Sequence, residues 1–159
     1  MDYFALKVVH IVSATILFGT GIGTAFYMFM AALTRDAKLT AGVGRLVVIG
    51  DWLFTGSSGV VQIASGLWLA HIAGFPILSG WVLHALLLYG LAFLCWAPVV
   101  WIQIRLRDIA QTAADAGGPL PREYWRWLAV WVGLGIPAFF ALVVVFWLMV
   151  AKPAGGVFG

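Results

Sequence analysis

The sequence predicts an all-α fold: a transmembrane bundle of four helices, with both termini on the periplasmic side. Of the 159 residues, 64% are hydrophobic and only 9% are charged, and the mean hydropathy is +1.05. A soluble domain carries about a quarter charged residues, so the composition indicates an integral membrane protein. The apolar residues fall into four runs, each long enough for the ~20 residues that a spanning helix needs. The lone cysteine, Cys95, excludes an internal disulfide and a cysteine-cluster metal site.

Each run is bounded by polar or turn-forming residues. The first helix, 3–33, has no basic leader and is longer than a signal-peptide core, so we expect it to be retained. The second, 46–73, follows "TRDAKLTAGVGR"; the third, 81–104, follows "GFPILSG"; and the fourth, 125–150, follows "RDIAQTAADAGGPLPRE". These segments leave no length for a soluble domain, so we predict one transmembrane domain over 1–159.

The basic residues predict the orientation. Seven of the nine lysines and arginines lie in or beside the first and third loops, and the opposite side holds only Lys7 and Lys152. Cytoplasmic loops carry the excess of lysine and arginine. We therefore expect both termini and the "GFPILSG" loop to face the periplasm, in the inner membrane of a bacterium, with lipids around the helices.

The three histidines lie toward the predicted periplasmic face on three different helices. His10, His71 and His84 each stand roughly 30 Å or more above the cytoplasmic end of their helix, at 1.5 Å per residue. Ionisable groups in membrane helices are candidates for function, and neutral imidazole is a good metal ligand. The alternative is a set of interfacial histidines bonded to carbonyl groups or water, which suits His71 best because it lies nearest the loop.

The type of cofactor follows by elimination. A closed zinc site needs four ligands, and no periplasmic carboxylate within the membrane completes the set of histidines. Haem b needs only one or two axial ligands and a large apolar cleft. We predict His10 and His84 as axial ligands, with His71 as the substitute, and Lys7 and Lys152 as partners of the propionates. Two ligands imply an electron carrier and one implies an open site; the sequence leaves both open.

Two features inside the spans have both a structural and a functional interpretation. Gly19 and Gly23 form a small-xxx-small face, which favours close approach of another helix or contact with a cofactor plane. Asp51 is the one carboxylate inside a span. We expect it to pair with Arg45 or Arg105, because such groups rarely lack a partner. The functional alternative is a proton relay, or a residue that binds a quinone head group, on the cytoplasmic side.

Four stretches carry a resemblance to a known family. They are "HIVSATILFGTGIGTAFYM", "DWLFTGSSGVVQIASGLWLA", "LYGLAFLCWAPVVWIQIRLRD" and "GLGIPAFFALVVVFWLMVAKP". Together they resemble the bacterial integral membrane family catalogued as domain of unknown function 2269, over nearly the whole chain. The resemblance implies four helices and no established activity.

A second resemblance rests on fewer residues. Lys7 and His10 in "LKVVHIV", with Gly80, Trp81 and His84 in "SGWVLHALLLY", are similar to motifs of the haem-dependent protoporphyrinogen oxidases of bacterial membranes. Here the histidine after the tryptophan is displaced by one residue, and the lysine that follows it in that family is absent. "FTGSS" also stands where that family has Thr-Pro. The resemblance implies haem binding at His10 more than porphyrinogen oxidation.

These observations predict a haem b membrane protein for electron transfer or small-molecule redox chemistry near the periplasmic face. A quinone or a redox protein is the expected partner, and a homo-oligomer is compatible with the sequence. The alternatives are a cofactor-free subunit or small transporter, and a porphyrinogen oxidase-like enzyme.

Overall fold

A computed structural model describes residues 2–153 and confirms the all-α fold. Its four helices are each long and apolar enough to cross a membrane, and the described residues form no strand. They are α1 (Tyr3–Leu33), α2 (Ala37–Ile72), α3 (Gly80–Asp115) and α4 (Arg122–Ala151). Within α2, Asp51–Gly56 winds as a π-helix.

Two helices extend well beyond the predicted spans. The chain reverses at Arg35, which has a φ of 58°, and α2 begins at Ala37 because the carboxylate of Asp36 accepts hydrogen bonds from the amides of Lys38 and Leu39. Most of the segment predicted as the first loop is therefore helical. The third helix, α3, continues to Asp115, just before the turn at Gly117, rather than ending at 104 as predicted. Hydropathy marks where a helix crosses the membrane, whereas capping residues mark where it ends.

One end of the bundle has a continuous apolar core. We call it the arginine end; it contains the turns at 34–36 and 116–121. All four helices contribute to this core, which consists of Met28, Ala32, Ala37, Ala41, Val47, Val99, Ile102, Leu106, Ala110, Leu120, Tyr124, Leu128 and Trp131. This packing fixes the relative positions of the helices.

The opposite end, which we call the histidine end, contains His10, His71, His84 and the turn at 73–79. Here α1 packs along α2, and α3 packs along α4, but the half of α2 from Ser57 to Ile72 makes hardly any close backbone contact with α3. The buried apolar cluster at this end is small and comes from α3 and α4 alone. The two helix pairs therefore diverge toward the histidine end.

The predicted close packing at Gly19 and Gly23 is wrong within this chain. A Cβ atom at either position would meet no atom within 4 Å, because this face of α1 points away from the other helices. The close approaches occur on α2 instead. A Cβ at Gly44 would lie 3.4 Å from the side chain of Arg107, and one at Gly66 would lie 2.9 Å from Cε1 of His10.

Candidate functional site

The diverging helix pairs enclose a cleft at the histidine end. Its volume is ≈ 410 Å³, within the range of about 300–1,000 Å³ that is typical of small-molecule sites. All four helices and the 73–79 turn contribute to a lining that is mostly aliphatic and aromatic, with Trp81, Phe146 and Met149 among the larger side chains. The few polar groups in this lining include His10, Gln62, Lys7 and Lys152.

His10 is held in one orientation by α2. Ser65 Oγ donates to the carbonyl of Val61 (2.6 Å), so it accepts from His10, whose Nδ1 lies 2.8 Å away. Nδ1 therefore carries the proton, and the lone pair of Nε2 accepts from Gln62 Nε2 (3.0 Å). Ser13 completes the cluster by donating to Gln62 Oε1 (2.5 Å). Gln62 thus forms hydrogen bonds between α2 and α1 at both ends of its amide group.

This arrangement has the features of a metal-binding histidine. Histidine ligands usually bind through one ring nitrogen while the other donates to a fixed acceptor. Ser65 supplies that acceptor for Nδ1 of His10. The His10 ring, which carries Nε2 as its other nitrogen, lines the cleft. Gln62 would have to release Nε2 before a metal ion could bind there.

The other two predicted histidine ligands do not line the cleft. Nδ1 of His84 lies 2.8 Å from the carbonyl oxygen of Gly80, in the first turn of its own helix. His71 is exposed at the end of α2. The three histidines thus share one end of the bundle without gathering at one point. Among the described residues, no three His, Cys, Asp or Glu side chains are grouped closely enough to hold a metal ion.

The two predicted propionate partners both line the cleft, on different helices. Lys7 lies one turn before His10 on α1, and its Nζ is 5.9 Å from the ring centroid of Tyr3. Lys152 follows α4, with its Nζ 5.4 Å from the ring centroid of Phe75. Both side chains are exposed, so each ammonium group can reach an anionic group at the mouth of the cleft.

The predicted pairing of Asp51 with an arginine is wrong. Arg45 donates to Gln111, and Arg105 pairs with Glu123 at 2.7 Å. Asp51 is 3% exposed and accepts instead from neutral groups on three helices: Thr24 of α1 (3.1 Å), Thr55 of α2 (3.2 Å) and Gln103 of α3 (2.8 Å). Arg45 precedes Asp51 by six residues, roughly 9 Å along α2 and on a different face of the helix, so its guanidinium group bonds to Gln111 rather than to the carboxylate.

The polar partners of His10 and Asp51 follow a pattern that the sequence contains. Asp51, Thr55, Ser58, Gln62 and Ser65 recur every three or four residues, which places them on one face of a helix. All five are at most 7% exposed. A search for polar residues at helical spacing within apolar runs would have found this face.

The fold defines an integral membrane protein of four helices with an apolar cleft at one end. The chain belongs to the family of predicted integral membrane proteins known as domain of unknown function 2269, whose family model matches residues 4–153. Neither a curated protein nor a solved structure matches the chain.

Proposed function

We propose that this protein binds haem b in the cleft at the histidine end, with Nε2 of His10 as an axial ligand. The observation that carries the proposal is the fixed ring of His10. Its Nδ1–H donates to Ser65, and its Nε2 accepts from Gln62, which lines an apolar cleft. Haem requires an apolar cavity and an axial ligand of this kind.

The charged groups of the cleft fit the same ligand. Haem b has an apolar ring with two anionic propionates on one edge, and here the two lysines lie at the mouth of a mostly apolar cavity. Lys7 and Lys152 would hold the propionates, while Ser65 keeps His10 in the tautomer that leaves Nε2 able to bind iron. Since His84 does not line the cleft, we favour His10 as the only histidine ligand. Met149 is a lining residue on α4 that can contribute a thioether.

Bound haem would supply one-electron chemistry, either as electron transfer to a quinone or a redox protein or as small-molecule redox chemistry at an open iron position. The chain's own residues would bind the ring, hold its edge near the surface and shield it from water. The excess of basic residues at the arginine end favours a periplasmic location for the cleft in a bacterial inner membrane.

A second candidate is a cofactor-free protein that binds a neutral, membrane-soluble molecule such as a quinone. The hydrogen bond from Gln62 to Nε2 of His10 favours it, because this bond occupies the ring nitrogen that a metal would need, and the second N–H of the Gln62 amide, which lines the cleft, suits a carbonyl oxygen. In this case the imidazole never binds a metal.

An absorption spectrum of the purified protein, with haem supplied during expression, separates the two candidates. We expect a Soret band in the wild-type protein. In His10→Ala the band should be lost, or its position should change with the spin state of the iron, because this variant removes an axial ligand. His84→Ala and His71→Ala are the matched controls, since neither residue lines the cleft, and both should leave the spectrum unchanged. Absence of a Soret band in the wild-type protein would refute haem binding. A spectrum altered by His84→Ala and not by His10→Ala would refute the choice of ligand.

A further inference from the structure

A row of buried polar side chains runs along α2 from its middle to the cleft. The row consists of Asp51, Thr55, Ser58, Gln62 and Ser65, and we call it the polar stripe; its members are between 3% and 7% exposed. It spans 14 residues, roughly 21 Å of helix. Polar groups in a membrane interior are energetically unfavourable, and those that occur commonly mark paths for ions or protons.

Side chains of α1 meet the polar stripe at both of its ends. Thr24 reaches Asp51, while Ser13 and His10 reach Gln62 and Ser65. The stripe therefore lies in the interface between α1 and α2, and its member Gln62 lines the cleft.

Asp51 is equipped to be stable with or without a proton. When it is ionised, the hydroxyl of Thr24 can donate to its Oδ1 (3.1 Å). When Oδ1 carries a proton, that proton can be donated to Thr24, whose own hydroxyl then donates to the carbonyl of Thr20 at 2.9 Å. One rotation of the Thr24 hydroxyl thus satisfies both forms, so Oδ1 of Asp51 and the Thr24 hydroxyl are hydrogen-bonded in either form.

Two independent observations support a functional role at this position. Gln103 is 2% exposed and donates to Oδ2 of Asp51, yet its own Oε1 has no hydrogen-bond partner. If the side-chain amide of Gln103 flips, its Oε1 can accept a hydrogen bond from a proton on Oδ2 of Asp51. In addition, Asp51 begins the π-helical stretch of α2, a rare conformation that is frequent at functional sites.

The surroundings of Asp51 differ on its two sides. Toward the arginine end lies the apolar core, in which Val47, Met28 and Leu106 are buried. Toward the histidine end lies the rest of the polar stripe. Arg45, the charged residue nearest to Asp51 in sequence, is engaged with Gln111, and Arg105, two residues after Gln103, is engaged with Glu123. Within the described residues Asp51 forms no ion pair.

We propose that Asp51 is a proton-binding site that exchanges its proton with the cleft along the polar stripe. The proton passes between the carboxyl group of Asp51 and water in the cleft by way of the hydroxyl groups, and no bond other than O–H bonds changes. Two steps need bridging water, from Thr55 to Ser58 and from Ser58 to Gln62, because each pair is about one turn apart, roughly 4.5–6 Å along the axis, and the Ser58 hydroxyl donates to backbone carbonyls of its own helix. This proposal does not depend on haem, because it concerns only the chain's own groups.

The test is infrared difference spectroscopy of the protein in lipid nanodiscs between acid and alkaline pH. We expect a carboxylic acid C=O band that appears on acidification and is lost in Asp51→Asn. Asp108→Asn, which changes an exposed carboxylate, is the control and should keep the band. Thr24→Val should shift its frequency, because the variant removes a hydrogen-bond partner, and it tests Asp51 even if Asp51→Asn fails to fold. A difference spectrum that neither Asp51→Asn nor Thr24→Val alters would overturn the proposal.

The route is tested by the rate at which this band appears after a rapid pH change. Ser58→Ala removes a hydroxyl group of the polar stripe and should slow protonation roughly five- to tenfold, as expected for the loss of one hydrogen bond from the path. Ser57→Ala is a matched control, because Ser57, like Ser58, donates to backbone carbonyls of its own helix but is exposed and lies outside the stripe. Equal rates in the two variants would overturn the route through the stripe.

Discussion

Substitution of Gly66 by alanine should displace the imidazole ring of His10. The added Cβ would lie 2.9 Å from Cε1 of His10, well inside an ordinary carbon–carbon contact of about 3.5–4.0 Å. The ring cannot move freely, because Ser65 and Gln62 hold it at 2.8 and 3.0 Å. A shift of about half an ångström or more would weaken or break both hydrogen bonds, each of which contributes about 0.5–1.5 kcal/mol. We therefore expect the displacement to lower the free energy of unfolding by about 1–3 kcal/mol.

Gly19→Ala is the matched control for this prediction. Gly19 also lies within a helix, and a Cβ there would meet no atom within 4 Å. Both substitutions gain the same higher helix propensity of alanine, about 1 kcal/mol, so the difference between the two variants isolates the effect on His10. Reversible unfolding in mild detergent, followed by tryptophan fluorescence, measures this difference. Two variants that agree within about 0.5 kcal/mol would show that the ring of His10 moves without loss, and would refute its description as a fixed group.

Three further predictions concern other parts of the molecule. A reporter fused at the C terminus should give a periplasmic signal, and one inserted at 113–118 a cytoplasmic signal; the reverse result would refute the orientation taken from the basic residues. Asp36→Ala should lower the unfolding free energy by about 1 kcal/mol because it removes an N-cap, whereas Asp36→Asn, which keeps an acceptor oxygen, should lose much less. If the cleft binds haem, Lys7→Gln and Lys152→Gln should each raise the dissociation constant for haem up to about fivefold, as expected for exposed ion pairs. An unchanged dissociation constant in both variants would show that the lysines do not hold the propionates.

The sequence was sufficient to predict the four helices because an apolar run of membrane length has few alternative structures. It was not sufficient to predict their ends, since the residues of α2 before Arg45 include no long apolar run and are helical through the cap at Asp36. The three histidines could be predicted to lie at the same end of the bundle, because successive helices cross the membrane in alternating directions. Which of them enters the cleft depends on how each helix is rotated about its axis, and the broad apolar surface of these helices does not specify that rotation.

The contact between His10 and Ser65 illustrates the same limit. These residues are 55 positions apart, and their meeting depends on the approach of α1 to α2 at Gly66. Gly19 and Gly23, the glycine pair that the sequence predicted to pack closely against another helix, lie on an open face of α1. Spacing alone cannot distinguish a glycine that permits helix contact from one that faces away from the bundle.

The uneven packing of the bundle separates the residues that maintain the fold from those that shape the cleft. Because the apolar core lies at the arginine end, substitutions that widen, narrow or recharge the cleft leave that core intact. The same scaffold can therefore acquire a different ligand through a few changes at the histidine end, much as an antibody changes its antigen through loops held by a constant framework. For a protein engineer, the cleft is therefore the part of this molecule to redesign.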